Sequence, residues 1–131
     1  MGDRTGRILV VDGDRRVRRA LRALAGAAGH DVIVEAADVA EARRAVVDDA
    51  PVVAVVEPML PTLTEGCALV RDLAASGIAV LALSVRPAAR PGTCAAGATA
   101  FLTKNCTPEQ LLDGIDRLLG NGATRIGAPG A

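Results

Sequence analysis

Residues 96–112 read AGATAFLTKNCTPEQLL and hold an apolar run, a short polar connection and a helix start in close succession. Residues 100–103 form the apolar run, whose length suits a strand that is buried on both faces. Thr107, Pro108 and Gln110 then form the helix start, in which the threonine caps, the proline takes the first helical position and the glutamine returns a hydrogen bond. A buried strand followed so closely by a helix predicts one strand–helix unit of a parallel sheet.

The same alternation of apolar runs and helical periods extends back to the N-terminus. Predicted strands cover residues 8–11, 32–34, 52–56, 78–83 and 100–103, and predicted helices begin near residues 14, 38, 65 and 107. Between the fourth and fifth strands, Pro87, Pro91 and Gly92 leave room for little more than a helical turn or two. The sequence therefore predicts an α/β fold, a doubly wound (βα)5 unit with a five-stranded parallel sheet and a short or irregular fourth helix.

Length and composition fit one globular domain. The chain has 131 residues, half of them apolar, which is enough for a single core. The last helix is predicted to end at Leu119, because the residues from Gly120 to Ala131 are rich in glycine, alanine and proline and show no period. We therefore expect one domain over residues 1–120 and a linker or disordered tail over residues 121–131.

Charge and cysteine content exclude several classes of function. Fifteen basic residues balance fifteen acidic ones, so no net field favours direct binding of this segment to DNA. No apolar run approaches the roughly 20 residues that a membrane span needs. Cys67, Cys94 and Cys106 form no C-x-x-C pair, which favours reduced thiols in the cytoplasm. We expect a soluble cytoplasmic protein.

Polar residues follow four of the five predicted strands, namely Asp12, Glu57, Ser84 and Lys104. The carboxyl ends of parallel strands lie at one edge of a sheet, where ligands bind in folds of this class. Each residue alone is compatible with a helix cap, a turn residue or a structural ion pair. The four together predict a functional site at this edge.

Two residues near this edge are the only ones of their kind. Lys104 is the only lysine, and Phe101 is the only aromatic residue. A single compact ammonium indicates a place that a guanidinium fork does not fit. The chain has no dinucleotide or P-loop motif, and its single histidine, His30, is predicted in a surface turn, which gives no support for a hydrolase. The arginines of the first helix predict a solvated face.

These motifs resemble the receiver domain of bacterial response regulators. The similarity runs from about residue 7 to residue 119 and is carried by ILVVDGD at 8–14, VVAVVEPMLP at 52–61, VLALS at 80–84 and the opening stretch at 96–112. The resemblance implies a flavodoxin-like sheet with strand order 2-1-3-4-5. It also implies a signalling domain, not an enzyme.

The resemblance implies roles for individual residues. In such domains a strand-end aspartate accepts a phosphoryl group from a kinase, and two acidic residues after the first strand help to hold Mg²⁺. Glu57 stands at the position of the phosphoacceptor. The acidic pocket corresponds to Asp12, Gly13 and Asp14, with glycine in place of the second acidic residue. The switch residues that relay the change to an output surface correspond to Ser84, Phe101 and Lys104.

The departures at Glu57 and Gly13 predict an atypical domain that works without phosphorylation. Phosphoryl transfer depends on positioning, so a carboxylate displaced by one methylene is badly placed. Because glycine at position 13 replaces the second acidic residue, we expect no cofactor, no metal ligands and weak or lost Mg²⁺ binding. We expect Glu57 to reach Lys104 and Ser84 in a permanent charge-assisted contact.

The same reasoning extends to partners. We expect a regulator of transcription that forms a homodimer, with the first and fifth helices as the pairing surface, and that contacts DNA only through an output domain outside this chain. Two alternatives remain open at this stage. The domain is still phosphorylated by a histidine kinase, or the altered edge of the sheet is a pocket for a small-molecule end product.

Overall fold

The structure, a computed structural model, describes residues 7–127, apart from the side chains of Ile33 and of residues 121–127. Strands and helices alternate along the chain. The strands are β1 (Arg7–Val11), β2 (Asp31–Ala36), β3 (Val53–Val56), β4 (Ala79–Ser84) and β5 (Ala100–Thr103). The helices are α1 (Arg15–Ala27), α2 (Val39–Asp49), α3 (Leu63–Ala75), α4 (Arg90–Ala96) and α5 (Pro108–Gly127).

The five strands form one parallel sheet in the order β2-β1-β3-β4-β5, which confirms the predicted fold and strand order. Ile8 pairs with Val53 in register, and Val53 pairs with Ala79. At the other end of the strands Ser84 pairs with Thr103. Because all strands run the same way, the residues that follow β1, β3, β4 and β5 lie along one edge of the sheet.

The sheet is buried on both faces, and alternation along β1 shows how. Ile8 and Val10 pack into a cluster with the apolar faces of α1 and α5. Leu9 and Val11 point the other way, into a cluster with α2, α3 and α4. All four are at most 1% exposed. This two-sided burial explains why the strands appear in the sequence as continuous apolar runs.

The helix starts predicted at residues 14, 38 and 107 are present as hydrogen-bonded caps. The Asp14 carboxylate accepts from the Arg16 N–H at 2.9 Å. Thr107 and Gln110 satisfy each other reciprocally, since the Gln110 N–H donates to Thr107 Oγ1 at 3.0 Å and the Thr107 N–H donates to Gln110 Oε1 at 2.8 Å. Gly29, in the turn after α1, has a φ of +88°, which favours glycine.

Two helix boundaries differ from the prediction. Helix α3 begins at Leu63 and not at Glu65, because Thr62 is its N-cap and accepts from the Glu65 N–H at 3.3 Å. Helix α5 continues past Leu119 to Gly127. Extending an existing helix adds a hydrogen bond with each residue, so glycines that are weak helix formers are tolerated there. The last four residues of the predicted tail, 128–131, lie outside the described residues.

The region between β4 and β5 agrees with the prediction of a short, irregular helix. A 3₁₀ turn over Pro87–Ala89 leads directly into α4, which is seven residues long.

The prediction for His30 was wrong in one respect. Its side chain is only 12% exposed, with Nε2 2.6 Å from Asp116 Oδ1 on α5. Among the described helices, none is long and apolar enough to cross a membrane.

Candidate functional site

The ends of β1, β3 and β5 bring together two carboxylates and one ammonium. Lys104 Nζ lies 2.7 Å from Asp12 Oδ2 and 2.9 Å from Glu57 Oε1. The side chains are 19%, 6% and 9% exposed, respectively. The structure therefore confirms the predicted contact between Glu57 and Lys104, and it adds Asp12 as a second partner of the same ammonium.

Both carboxylate oxygens of Glu57 are engaged. Oε1 faces the ammonium, and Oε2 accepts a hydrogen bond from the Met59 N–H at 2.9 Å. The backbone is fixed as well, since the Glu57 N–H donates to the carbonyl of Val11 at 2.9 Å. Pro58, which has no N–H, follows directly. The Met59 contact could not be predicted from the sequence, because it depends on how the chain turns after β3.

Asp12 is fixed through its side chain and its backbone. Its Oδ1 accepts from the Asp14 N–H at 2.8 Å, while its carbonyl accepts from Arg18 Nη1 at 2.6 Å. Arg18 is also held by Glu35, with Nε 3.3 Å from Oε1. Arg22 donates to the same carboxylate at 2.6 Å, and this contact is the main reason that the pKa of Glu35 lies below its ordinary value. The arginines of the first helix were predicted to lie on a solvated face, but Arg18 and Arg22 contact Glu35 on β2.

The other two members of the predicted acidic pocket lie outside this contact. Asp14 caps α1, and the hydrogen bond from the Arg16 N–H is the main cause that lowers the pKa of its carboxyl group. Gly13 is exposed, and an added Cβ would meet nothing nearer than the carbonyl oxygen of Ala37, at 3.8 Å. The space around Gly13 would accommodate a side chain, so the carboxylate is missing only because this residue is glycine.

Electrostatics hold Lys104 in its charged form. Burial alone would lower the pKa of its ammonium, but hydrogen bonds and charge attraction from Asp12 and Glu57 outweigh burial and raise the pKa above its ordinary value. Two carboxylates and one ammonium leave a formal surplus of one negative charge. A buried group of this kind is stable only while every member keeps its partner.

Ser84 is fully buried at the end of β4 but does not join the charged group. Its hydroxyl accepts from the Arg86 N–H at 3.1 Å. The described residues show no hydrogen bond between the Ser84 side chain and Glu57, so that part of the expected contact was wrong. A backbone hydrogen bond joins the ends of β4 and β5, with the Lys104 N–H donating to the Ser84 carbonyl at 2.9 Å.

Phe101 lies on β5 and is 4% exposed. It packs against Ala82 and Ala89. The guanidinium carbon of Arg90 lies 4.8 Å from the ring centroid, and Arg90 Nη2 donates to the Phe101 carbonyl at 3.3 Å. Sequence reasoning missed Arg90, because the length of the connection after β4 does not reveal which of its residues returns to β5.

The donor set does not fit the Mg²⁺ that the resemblance to receiver domains implies. An open cleft of about 570 Å³ is lined by Asp12, Gly13, Asp38 and Glu57, together with Lys104. Its two innermost carboxylates are already bound by an ammonium, and Gly13 supplies none. Over residues 7–127, no group of three or more histidine, cysteine or acidic side chains is arranged to hold a metal ion. Mg²⁺ prefers near-octahedral oxygen coordination with one or two carboxylates, and here both innermost carboxylates already face the Lys104 ammonium.

Comparison with known proteins bears on the family and the fold. Many solved structures share the fold, including the following three. A LuxR-family two-component response regulator from Aurantimonas sp. SI85-9A1 is 28% identical, with a TM-score of 0.81 over 89% of this chain and 86% of that one. Chemotaxis response regulator CheY4 of Vibrio cholerae is 25% identical, with a TM-score of 0.75 over 87% and 98%.

A CheY-like receiver domain protein from Methanospirillum hungatei JF-1 is 22% identical, with a TM-score of 0.79 over 90% and 96% of the two chains. That likeness concerns the fold alone. A comparison with curated proteins found no match. The family model of the response regulator receiver domain matches residues 8–116, and the chain belongs to this family.

Proposed function

We propose that this receiver domain works without phosphorylation of an aspartate, and that the ion pair between Glu57 and Lys104 takes the place of the phosphoryl signal. The observation that carries the proposal is the position of Lys104 Nζ, 2.7 Å from Asp12 and 2.9 Å from Glu57. Receiver domains are in general signalling domains without enzymatic activity, and we propose the same for this one.

The geometry of Glu57 opposes phosphoryl transfer. An attacking carboxylate oxygen needs a free line of approach to phosphorus and neutralisation of the charge on the transferred group. Each oxygen of Glu57 already has a hydrogen-bond partner, Lys104 on one side and the Met59 N–H on the other. Attack would require breaking a contact among side chains that are at most 19% exposed, which costs more than breaking a surface pair.

The electrostatics give the second reason. Three carboxylates facing one lysine would leave two negative charges, which a divalent cation would neutralise. With Gly13 in the second position, only one surplus negative charge remains, and Asp12 and Glu57 share the Lys104 ammonium. We therefore expect Mg²⁺ to bind weakly or not at all.

The output is proposed at a coarser level. One similar structure is a LuxR-family two-component response regulator, which supports a role in transcription. We propose that the domain acts as a cytoplasmic homodimer and reaches DNA through an output domain that is not part of these residues. The balanced charge of the chain supports this division, since it supplies no field for DNA.

The test is exposure of the purified protein to Mg²⁺ and a small phosphoryl donor, read by intact mass. We expect no phosphoryl adduct on the wild type. The matched control is the double variant Gly13→Asp with Glu57→Asp, whose first change has room because the nearest atom to a new Cβ is 3.8 Å away. An adduct on Glu57 of the wild type would overturn the proposal. An adduct on the double variant alone would support it.

A further inference from the structure

Arg90 covers the only aromatic side chain of the protein. One side of Phe101 packs on Ala82 and Ala89 in the interior. The guanidinium carbon of Arg90 lies over the ring, 4.8 Å from the centroid, and Arg90 Nη2 donates to the Phe101 carbonyl at 3.3 Å. Arg90 thus holds both the ring and the backbone of Phe101.

The local fold fixes Arg90 in this position. It is the first residue of α4 and follows directly on the 3₁₀ turn of Pro87–Ala89. The Thr93 hydroxyl, which is fully buried, donates to the Ala89 carbonyl at 2.6 Å and ties α4 to the turn. Pro91 follows immediately, and its ring restricts the backbone further. The arginine stem therefore leaves a rigid segment and returns to β5.

The chemistry suits arginine in particular. A planar guanidinium can stack on a ring and donate a hydrogen bond in its own plane at the same time. A lysine ammonium could make either contact but has no flat face with which to cover the ring. The described contacts of the Arg90 side chain are both to Phe101.

We propose that Arg90 is a positioning residue that keeps Phe101 in its buried orientation and so holds the surface formed by α4 and β5 in one state. The inference rests on the proposed function. A receiver domain that accepts no phosphoryl group needs permanent contacts to define its output surface. Arg90 supplies such a contact to Phe101, which stands at the aromatic relay position. Glu57 and Lys104 provide the corresponding contact at the carboxyl ends of the strands.

The experiment uses the single phenylalanine as a reporter. Protein labelled with carbon-13 phenylalanine gives one set of ring signals, since Phe101 is the only such residue. Relaxation dispersion then measures how often the ring leaves its buried position. In Arg90→Ala we expect the exposed population to rise by about two- to fivefold, the factor expected for losing a cation–π contact at an exposed site. In Arg90→Lys we expect an intermediate rise.

Arg86→Ala is the matched control, because Arg86 is an exposed arginine at the start of the same segment and its described hydrogen bond to Ser84 uses the backbone N–H. We expect no change of the ring signals in this variant. Unchanged signals in Arg90→Ala would overturn the inference, and so would an equal change in Arg86→Ala. Should Arg90→Ala fail to fold, Arg90→Gln serves the same comparison, because it keeps a hydrogen-bond donor and loses the charge.

The two proposals fail differently. Ring signals that move when the wild type receives Mg²⁺ and a phosphoryl donor would count against the proposed function, whatever Arg90 does. Ring signals that ignore both the phosphoryl donor and the loss of Arg90 would overturn the positioning role alone.

Discussion

The apolar layers of the sheet and the cleft at its strand ends are stabilised by different physical effects. Within the layers, side chains such as Leu9 and Val56 are completely buried and held by close packing. In the cleft, Asp12 and Glu57 are nearly as buried and Lys104 is partly buried, but these residues are held by opposite charge. Substitutions in the layers should therefore act through volume, and substitutions in the cleft through the loss of a charged partner.

Gly66→Ala should have the largest effect and tests the packing side of this comparison. A Cβ on this α3 residue would lie 1.6 Å from the carbonyl oxygen of Pro58, a backbone atom in the turn that follows Glu57. Relieving the clash requires a shift of the helix or the turn, so we expect the free energy of unfolding to fall by about 3 kcal/mol or more. Urea denaturation measures it.

Gly26→Ala is the control for this substitution. Gly26 lies within α1, and an added Cβ meets nothing within 4 Å. We expect it to stabilise the protein by about 0.5–1 kcal/mol, because alanine loses less conformational freedom than glycine in a helix. A Gly66→Ala protein as stable as the Gly26→Ala protein would show that α3 does not approach Pro58 as described.

Lys104→Met tests the charged side. The variant keeps most of the side-chain volume but leaves two buried carboxylates without their cation, so we expect a loss of about 3 kcal/mol in urea denaturation at neutral pH. Adding Glu57→Gln should recover part of the loss. The control is Arg43→Met, which breaks an exposed pair with Asp72 and should cost less than about 1 kcal/mol. Equal losses in the two single variants would mean that the cleft behaves as ordinary surface.

A smaller effect is expected at alkaline pH. The folded-state pKa of Lys104 is raised above its unfolded value of about 10.4. Its contribution to stability is therefore complete below that pH and is lost as pH rises through the folded-state value. The chain has no tyrosine to titrate in this range, although burial raises the pKa of the Cys106 thiol. The comparison is best made with the cysteines replaced by serine.

In that background the stability difference between the protein with Lys104 and its Lys104→Met variant should shrink above about pH 10.5. Unfolding free energies at a series of pH values measure it. A difference that stays constant up to the highest pH at which the protein folds would show that the ammonium gains nothing from its two partners.

Local patterns in the sequence were enough to predict the strands and most helix starts, whereas the strand order was implied by the resemblance to receiver domains. Apolar runs such as the one through Val56 report burial, and caps such as Thr107 act within a few residues of chain. Contacts between distant segments were harder to predict. The pairing of Lys104 with Glu57 followed from the parallel topology, whereas the Met59 N–H and the guanidinium of Arg90 depend on turns whose path the sequence does not specify.

His30 illustrates the same limit, because its side chain contacts the carboxylate of Asp116, which lies on the distant helix α5. The end of α5 was misjudged for a different reason. Propensity favours a stop at Gly120, but the energy of each added helical hydrogen bond offsets a weak helix former.

The most direct test of the account uses the only lysine of the chain. Protein labelled with nitrogen-15 at the lysine side chain gives one ammonium signal, that of Lys104. We expect this signal to be shifted by Glu57→Gln and to stay unchanged when Mg²⁺ and beryllofluoride, a mimic of the phosphoryl group, are added to the wild type. An ammonium signal that moves on addition of these ions would contradict a permanent pairing of Lys104 with Glu57.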